Sequence, residues 1–211
     1  MANLDATKLT AVERRALVEL QASDPAMADL IERHGPRSIA ERRRDHEAFE
    51  ELVRIIVAQQ VSTSAARSIW GRICAAHGER PPTAAEAEET LRGCGLSGRK
   101  ASYVVGIAGA FEAGRLDGER LRAADDDQVV ESLTGERGLG RWSAEMFLMF
   151  HLGRPDIFSG GDLGLRNGAR YALGLEQVPS PEKLELIAER WRPQRTLAAI
   201  YLWEAAAAGT G

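Results

Sequence analysis

The chain has 211 residues, 44% hydrophobic and 27% charged, with a formal net charge of −4. That length supports one sizeable core or two small lobes, no apolar run is long enough for a membrane span, and the acidic balance argues against coating nucleic acid through bulk charge. Two cysteines (Cys74, Cys94) and four scattered histidines (His34, His46, His77, His151) make neither a disulfide framework nor an iron–sulfur set nor any metal-ligand spacing, so no metal is expected.

The first fifteen residues, MANLDATKLTAVERR, lack the basic-then-apolar layout of a signal peptide, which predicts a cytoplasmic protein. Thr10 with Glu13 forms a capping box and predicts a helix over 10–20. Asp24-Pro25 reads as N-cap and first-turn proline of a second helix, stopped by Gly35-Pro36. Phe49, Leu52, Val53 and Ile56 fall at helical spacing and mark a buried face. That helix ends at Gln59-Gln60, two amides at a polar junction. Ser62 to His77 is the next helix, closed by Gly78. Thr83 with Glu86 is a second capping box, and Ser97 caps a helix running through Phe111. Helices over 125–133, 141–152, 162–173 and 180–191 follow, and one after Pro193 reaches about Ala208. Roughly ten helices and no strands predict an all-α chain.

Four features carry chemistry. Gly138-Leu139-Gly140 is a turn in which two glycines allow a sharp reversal. The next helix starts at once, so its unpaired N–H groups join the glycine amides in a phosphate cradle, while Leu139 packs inward. Taken alone it reads rather as an ordinary inter-helix turn. Asp162 opens a helix, where an N-cap role is common; the helix dipole favours a carboxylate there, and such a group can also stabilise an oxocarbenium-like transition state. Trp142 and Trp203 offer faces that stack on bases and attract cations, whereas Trp70 and Trp191 read as core. Gln59 and Gln60 face either a cleft or solvent.

Together IVAQQVS, GLGRWSAEMF, DIFSGGDLGL and WRPQRTLAAIYLW resemble the helix-hairpin-helix (HhH-GPD) DNA glycosylase superfamily, and most of all its AlkA-type 3-methyladenine DNA glycosylase II branch. The likeness runs from about Phe49 to Trp203. It implies two helical lobes flanking a DNA-binding cleft, one of about 46–160 including the hairpin 134–144, the other from 1–45 plus 161–211. It implies Asp162 as the catalytic carboxylate, Trp142 and Trp203 lining the base pocket, and Gln59 and Gln60 at the helix end that fills the gap left by the extruded nucleotide. The hairpin, through Gly138, Leu139, Gly140, Arg141 and Ser143, holds a DNA phosphate, directly or through a bound monovalent cation; no other cofactor is implied.

The chain departs from that pattern at identifiable places. Strand-cutting relatives place a lysine where Trp142 stands, so no amine is set to form a Schiff base. Lys100 reads as surface or phosphate-contacting. Arg137 and the run Ser159-Gly160-Gly161 stand where many relatives have proline, which predicts a flexible lead-in to Asp162. The resemblance thus implies a monomeric, monofunctional glycosylase acting on double-stranded DNA that contains N-alkylated purines such as 3-methyladenine or 7-methylguanine. The alternatives are excision of deaminated or oxidised bases on the same scaffold, or a non-catalytic helix-hairpin-helix DNA-binding protein.

Overall fold

The computed structural model describes residues 9–43, 46–78 and 88–209, and every regular element among them is helical. In chain order these are α1 (Ala11–Ser23), α2 (Pro25–His34), α3 (Ile39–Arg42), α4 (Ala48–Ala58), α5 (Thr63–Ala76), α6 (Glu88–Gly93), α7 (Gly98–Glu112), α8 (Gly118–Ala123), α9 (Asp126–Thr134), α10 (Arg141–Phe147), α11 (Leu163–Ala172), α12 (Pro181–Ala188) and α13 (Arg195–Ala208). The short helices α3 and α8 have too few turns to show a period and carry no motif in the sequence. The helix expected over 141–152 changes to a π-helical turn at Leu148–Leu152. The capping box at Thr83 and Glu86 lies outside the described residues.

Helix starts follow local chemistry. Thr10 and Glu13 make the reciprocal capping box, the Asp24 carboxylate accepts from the Ala26 N–H, and Ser97 and Ser180 cap α7 and α12. Each such cap is worth about 1 kcal/mol.

The chain divides into two compact units, one of Met1–Arg43 with Gly153–Gly211 and one of Arg44–Leu152. The second boundary falls earlier than the position near 160 read from the sequence. The reason is the segment after Gly153: Ile157 and Phe158 are buried, and Phe158 packs on Trp191 with centroids 5.7 Å apart, which ties the segment to the discontinuous unit.

In that discontinuous unit Trp191 is fully buried. Its indole N–H donates to Asp24 at 2.8 Å, so the carboxylate that caps α2 also satisfies the one polar atom of the core tryptophan. The Tyr201 hydroxyl donates to the Gly35 carbonyl at 3.0 Å, and burial pushes its pKa up. Helices α11 and α13 pack at close range because Gly168 has no side chain: a Cβ there would lie 1.9 Å from the Leu202 carbonyl oxygen.

In the contiguous unit Leu52, Val53 and Ile56 of α4 are buried as their spacing requires, and Phe49 meets Phe111 edge-on at 5.8 Å. Trp70, read as core, is half-buried instead, with the Arg54 guanidinium 4.1 Å from its ring centroid.

Two glycine substitutions separate packing from propensity. Gly168→Ala is expected to destabilise by about 1–3 kcal/mol through overpacking. Gly106→Ala, on α7 with nothing within 4 Å, is expected to stabilise by roughly 0.5–1 kcal/mol. Denaturant unfolding of the two variants checks both signs.

Candidate functional site

Asp162 stands at the N-cap of α11, where its Oδ1 accepts from the Leu165 N–H at 2.8 Å. The same oxygen accepts from Trp203 Nε1 at 2.9 Å. The carboxylate is therefore oriented from two directions, by the first turn of its own helix and by the indole of α13. Gly164 makes room for this: a Cβ there would lie 2.9 Å from Trp203 Cδ1 and 3.0 Å from Asp162 Oδ1. Trp203, implied by the resemblance as a pocket wall, is thus also the residue that aims the carboxylate.

The lead-in to Asp162 is pinned along its length, contrary to the expected flexibility. The Thr196 hydroxyl donates to the Arg154 carbonyl at 2.7 Å and accepts from the Ile157 N–H at 3.0 Å. Ser159 is buried, and its carbonyl accepts from the Asp162 N–H at 2.9 Å. The Gly160 N–H donates to Glu185 Oε1 at 2.7 Å. A Cβ at Gly160 would lie 2.7 Å from the Pro181 carbonyl oxygen, so this glycine serves close packing against the start of α12. Glu185 and Thr196 carry no motif, and no local signal in the sequence marks them.

In the contiguous unit the hairpin joins α9 to α10. Gly138 has φ +98°, a left-handed conformation suited to glycine, and a Cβ there would lie 2.3 Å from the Tyr103 ring. Leu139 is 4% exposed and anchors the turn. Gly140 is the N-cap of α10 and offers no side-chain cap to its N–H groups. The Arg141 side chain is 78% exposed and bonds Glu145 at 2.8 Å.

Two sequence assignments change here. The Gln59 amide donates to the Gly138 carbonyl at 2.9 Å and to Ser143 Oγ at 3.1 Å, and Ser143 is buried. Gln59 and Ser143 therefore brace the hairpin from within, a role the sequence did not suggest for them. Gln60 is exposed and is the one non-glycine residue with positive φ, at 55°, among the described residues, a conformation costing about 1–2 kcal/mol.

Lys100, read as surface or phosphate-contacting, turns inward. Its ammonium donates to the carbonyls of Val57 at 2.9 Å and Gln59 at 2.6 Å, the C-terminal end of α4, where helix carbonyls lack partners and the dipole is negative. Burial lowers its pKa from the ordinary lysine value.

The structure thus brings the foreseen residues together in two groups, each within its own unit. Asp162 and Trp203 form one. Gln59, Gln60, Gly138, Leu139, Gly140, Arg141 and Ser143 form the other, along with half-buried Trp142 in the first turn of α10.

Comparison with known proteins gives the family. Residues 53–194 match the family described as HhH-GPD superfamily base excision DNA repair protein. DNA-3-methyladenine glycosylase 1 of Schizosaccharomyces pombe is 34% identical over 84% of this chain and 79% of its own. An alkylbase DNA glycosidase-like protein of the same yeast is 30% identical over 90% of this chain and 92% of its own. The solved structure of the yeast 3-methyladenine DNA glycosylase in complex with abasic DNA superposes with a TM-score of 0.84 at 31% identity, covering 90% of this chain and 95% of that one. A DNA-3-methyladenine glycosidase from Bacillus halodurans gives 0.77 at 35% identity, covering 92% and 90%.

The two left-handed positions are expected to respond oppositely to substitution. Gln60→Gly should raise stability by roughly 0.5–1 kcal/mol, the relieved strain less the added chain entropy. Gly138→Ala should lower it by about 2 kcal/mol or more, since strain and the Tyr103 clash act together. Thermal or denaturant melts read both.

Proposed function

The chain belongs to the HhH-GPD superfamily of base excision DNA repair proteins, and from that premise we propose that it is a monofunctional DNA glycosylase hydrolysing the N-glycosidic bond of N-alkylated purines. Its substrates are bases of the 3-methyladenine and 7-methylguanine type in double-stranded DNA, and its product is an abasic site. The names of the relatives that match along most of the chain support this substrate class. The observation that carries the chemistry is the Asp162 carboxylate held by both the α11 N-terminus and the Trp203 indole.

An N-alkylated purine bears a positive charge, so it departs as a neutral base without a strong general acid. Cleavage leaves positive charge on the deoxyribose, which a pre-oriented carboxylate stabilises. Water then adds hydroxyl to the sugar carbon and releases a proton. The electron-rich faces of Trp142 and Trp203 favour a cationic base over a neutral one. Trp142 in place of lysine leaves no amine at that position for a Schiff base, so the reaction stops at the abasic site. The hairpin around Gly138 and Gly140 holds backbone phosphate. Its carbonyl oxygens are neutral donors of the kind a monovalent cation takes, and the charge of such an ion would add to the grip. Gln60 fills the space left by the extruded nucleotide, an extrusion costing a few kcal/mol and least for weakened pairs. The enzyme works as a cytoplasmic monomer.

Asp162→Asn is expected to cut base release from methylated duplex DNA by about 100-fold or more. Trp203→Phe, which keeps an aromatic face but loses the N–H, should cost about tenfold. Chromatography of the released bases reads both and names the substrate. Release from deaminated DNA instead would change the substrate class, and salt-sensitive binding with no release from any lesion would leave a DNA-binding module.

A further inference from the structure

We propose that Lys100 is a positioning residue for the reaction: by clamping the end of α4 it holds Gln60 in the conformation from which that side chain enters the DNA. The proposal rests on the reading of the chain as a base-extruding glycosylase.

The argument starts at the peptide plane. The Gln59 carbonyl and the Gln60 N–H belong to one rigid plane, so a bond to the carbonyl oxygen restrains the tilt of the plane that leads into Gln60. Lys100 Nζ bonds that oxygen at 2.6 Å and the Val57 oxygen at 2.9 Å. On the other side the Gln59 amide is tied to Gly138 and Ser143. Gln59 is thereby held at both ends of the residue, and Gln60 follows it with φ +55°. Left to itself this turn would relax, because a residue with a Cβ gains by leaving the left-handed region. The clamp opposes that relaxation. Without it the turn would need glycine, and glycine has no side chain to insert.

The clamp also links the wedge to the hairpin. Lys100 and Tyr103 are three apart on α7 and share a face. Lys100 reaches Gln59, while the Tyr103 ring lies against Gly138. One helix face thus sets the position of the inserting residue relative to the turn that grips phosphate.

The test uses a duplex with a tetrahydrofuran abasic analogue and 2-aminopurine facing the gap, whose fluorescence reports entry of a side chain without any bond being cut. Lys100→Met is expected to lose most of the wild-type fluorescence change and about tenfold in single-turnover base release from a fully paired methylated duplex. The loss in release should shrink when the lesion faces a mismatched base, where extrusion is easier. Lys100→Arg should recover most of both signals. The double variant with Gln60→Ala should be no worse than Gln60→Ala alone, as expected when two residues act through one event. Additive losses, or wild-type fluorescence in Lys100→Met, would overturn the proposal. Should Lys100→Met not fold, Lys100→Gln takes its place and the same comparison decides. A wild-type protein that shows the fluorescence pattern yet releases no base would refute the glycosylase reading and with it the role of Lys100 in the reaction, while the fluorescence of Lys100→Met would still decide whether Lys100 sets the entry of Gln60.

Discussion

The position of the carboxylate depends on a missing side chain. At Gly168, α11 and α13 approach until a single added carbon would overlap the Leu202 carbonyl. That approach brings the next residue, Trp203, within hydrogen-bonding distance of Asp162, and Gly164 keeps the remaining space clear. A helix pair at ordinary spacing, roughly 8–10 Å between axes with side chains interposed, would leave the indole short of its acceptor. Packing, carboxylate orientation and the chemistry assigned to Asp162 are one constraint seen at three scales.

The contiguous unit uses a different device for a similar end. Its hairpin and the turn at Gln60 both lack internal rigidity, since one depends on a glycine and the other on a strained glutamine. Each is held from outside by α7, through Tyr103 and Lys100, and each is joined to the other by the Gln59 amide. Polar groups that read from the sequence as DNA-facing are thus spent on holding one another, leaving Gln60, Arg141 and the hairpin backbone to face outward.

The helix caps were legible because they are local: a Thr, Asp or Ser and the N–H two or three residues on make a complete physical unit. The resemblance located Asp162 and the hairpin through short motifs. What escaped was held over long separations. Lys100 meets Gln59 across 41 residues, Gln59 meets Gly138 across 79, and Glu185 meets Gly160 across 25, and in none of these does one partner constrain the other's neighbours in sequence. Gly160 shows the limit most clearly. Composition reads a Ser-Gly-Gly run as loose, whereas close packing against Pro181 and a bond to Glu185 make it fixed.

The division of the chain has a consequence in time. The unit bearing the hairpin and Gln60 is one uninterrupted stretch, whereas the unit bearing Asp162 joins an early segment to a late one. The contacts that close the latter, Asp24 with Trp191 and Gly35 with Tyr201, span 167 and 166 residues. Loop closure of that length is slow relative to local folding, and during synthesis the early segments emerge first. On a ribosome the contiguous unit is therefore complete while α1 and α2 still wait for their partners, and the unit that holds Asp162 is the last to close.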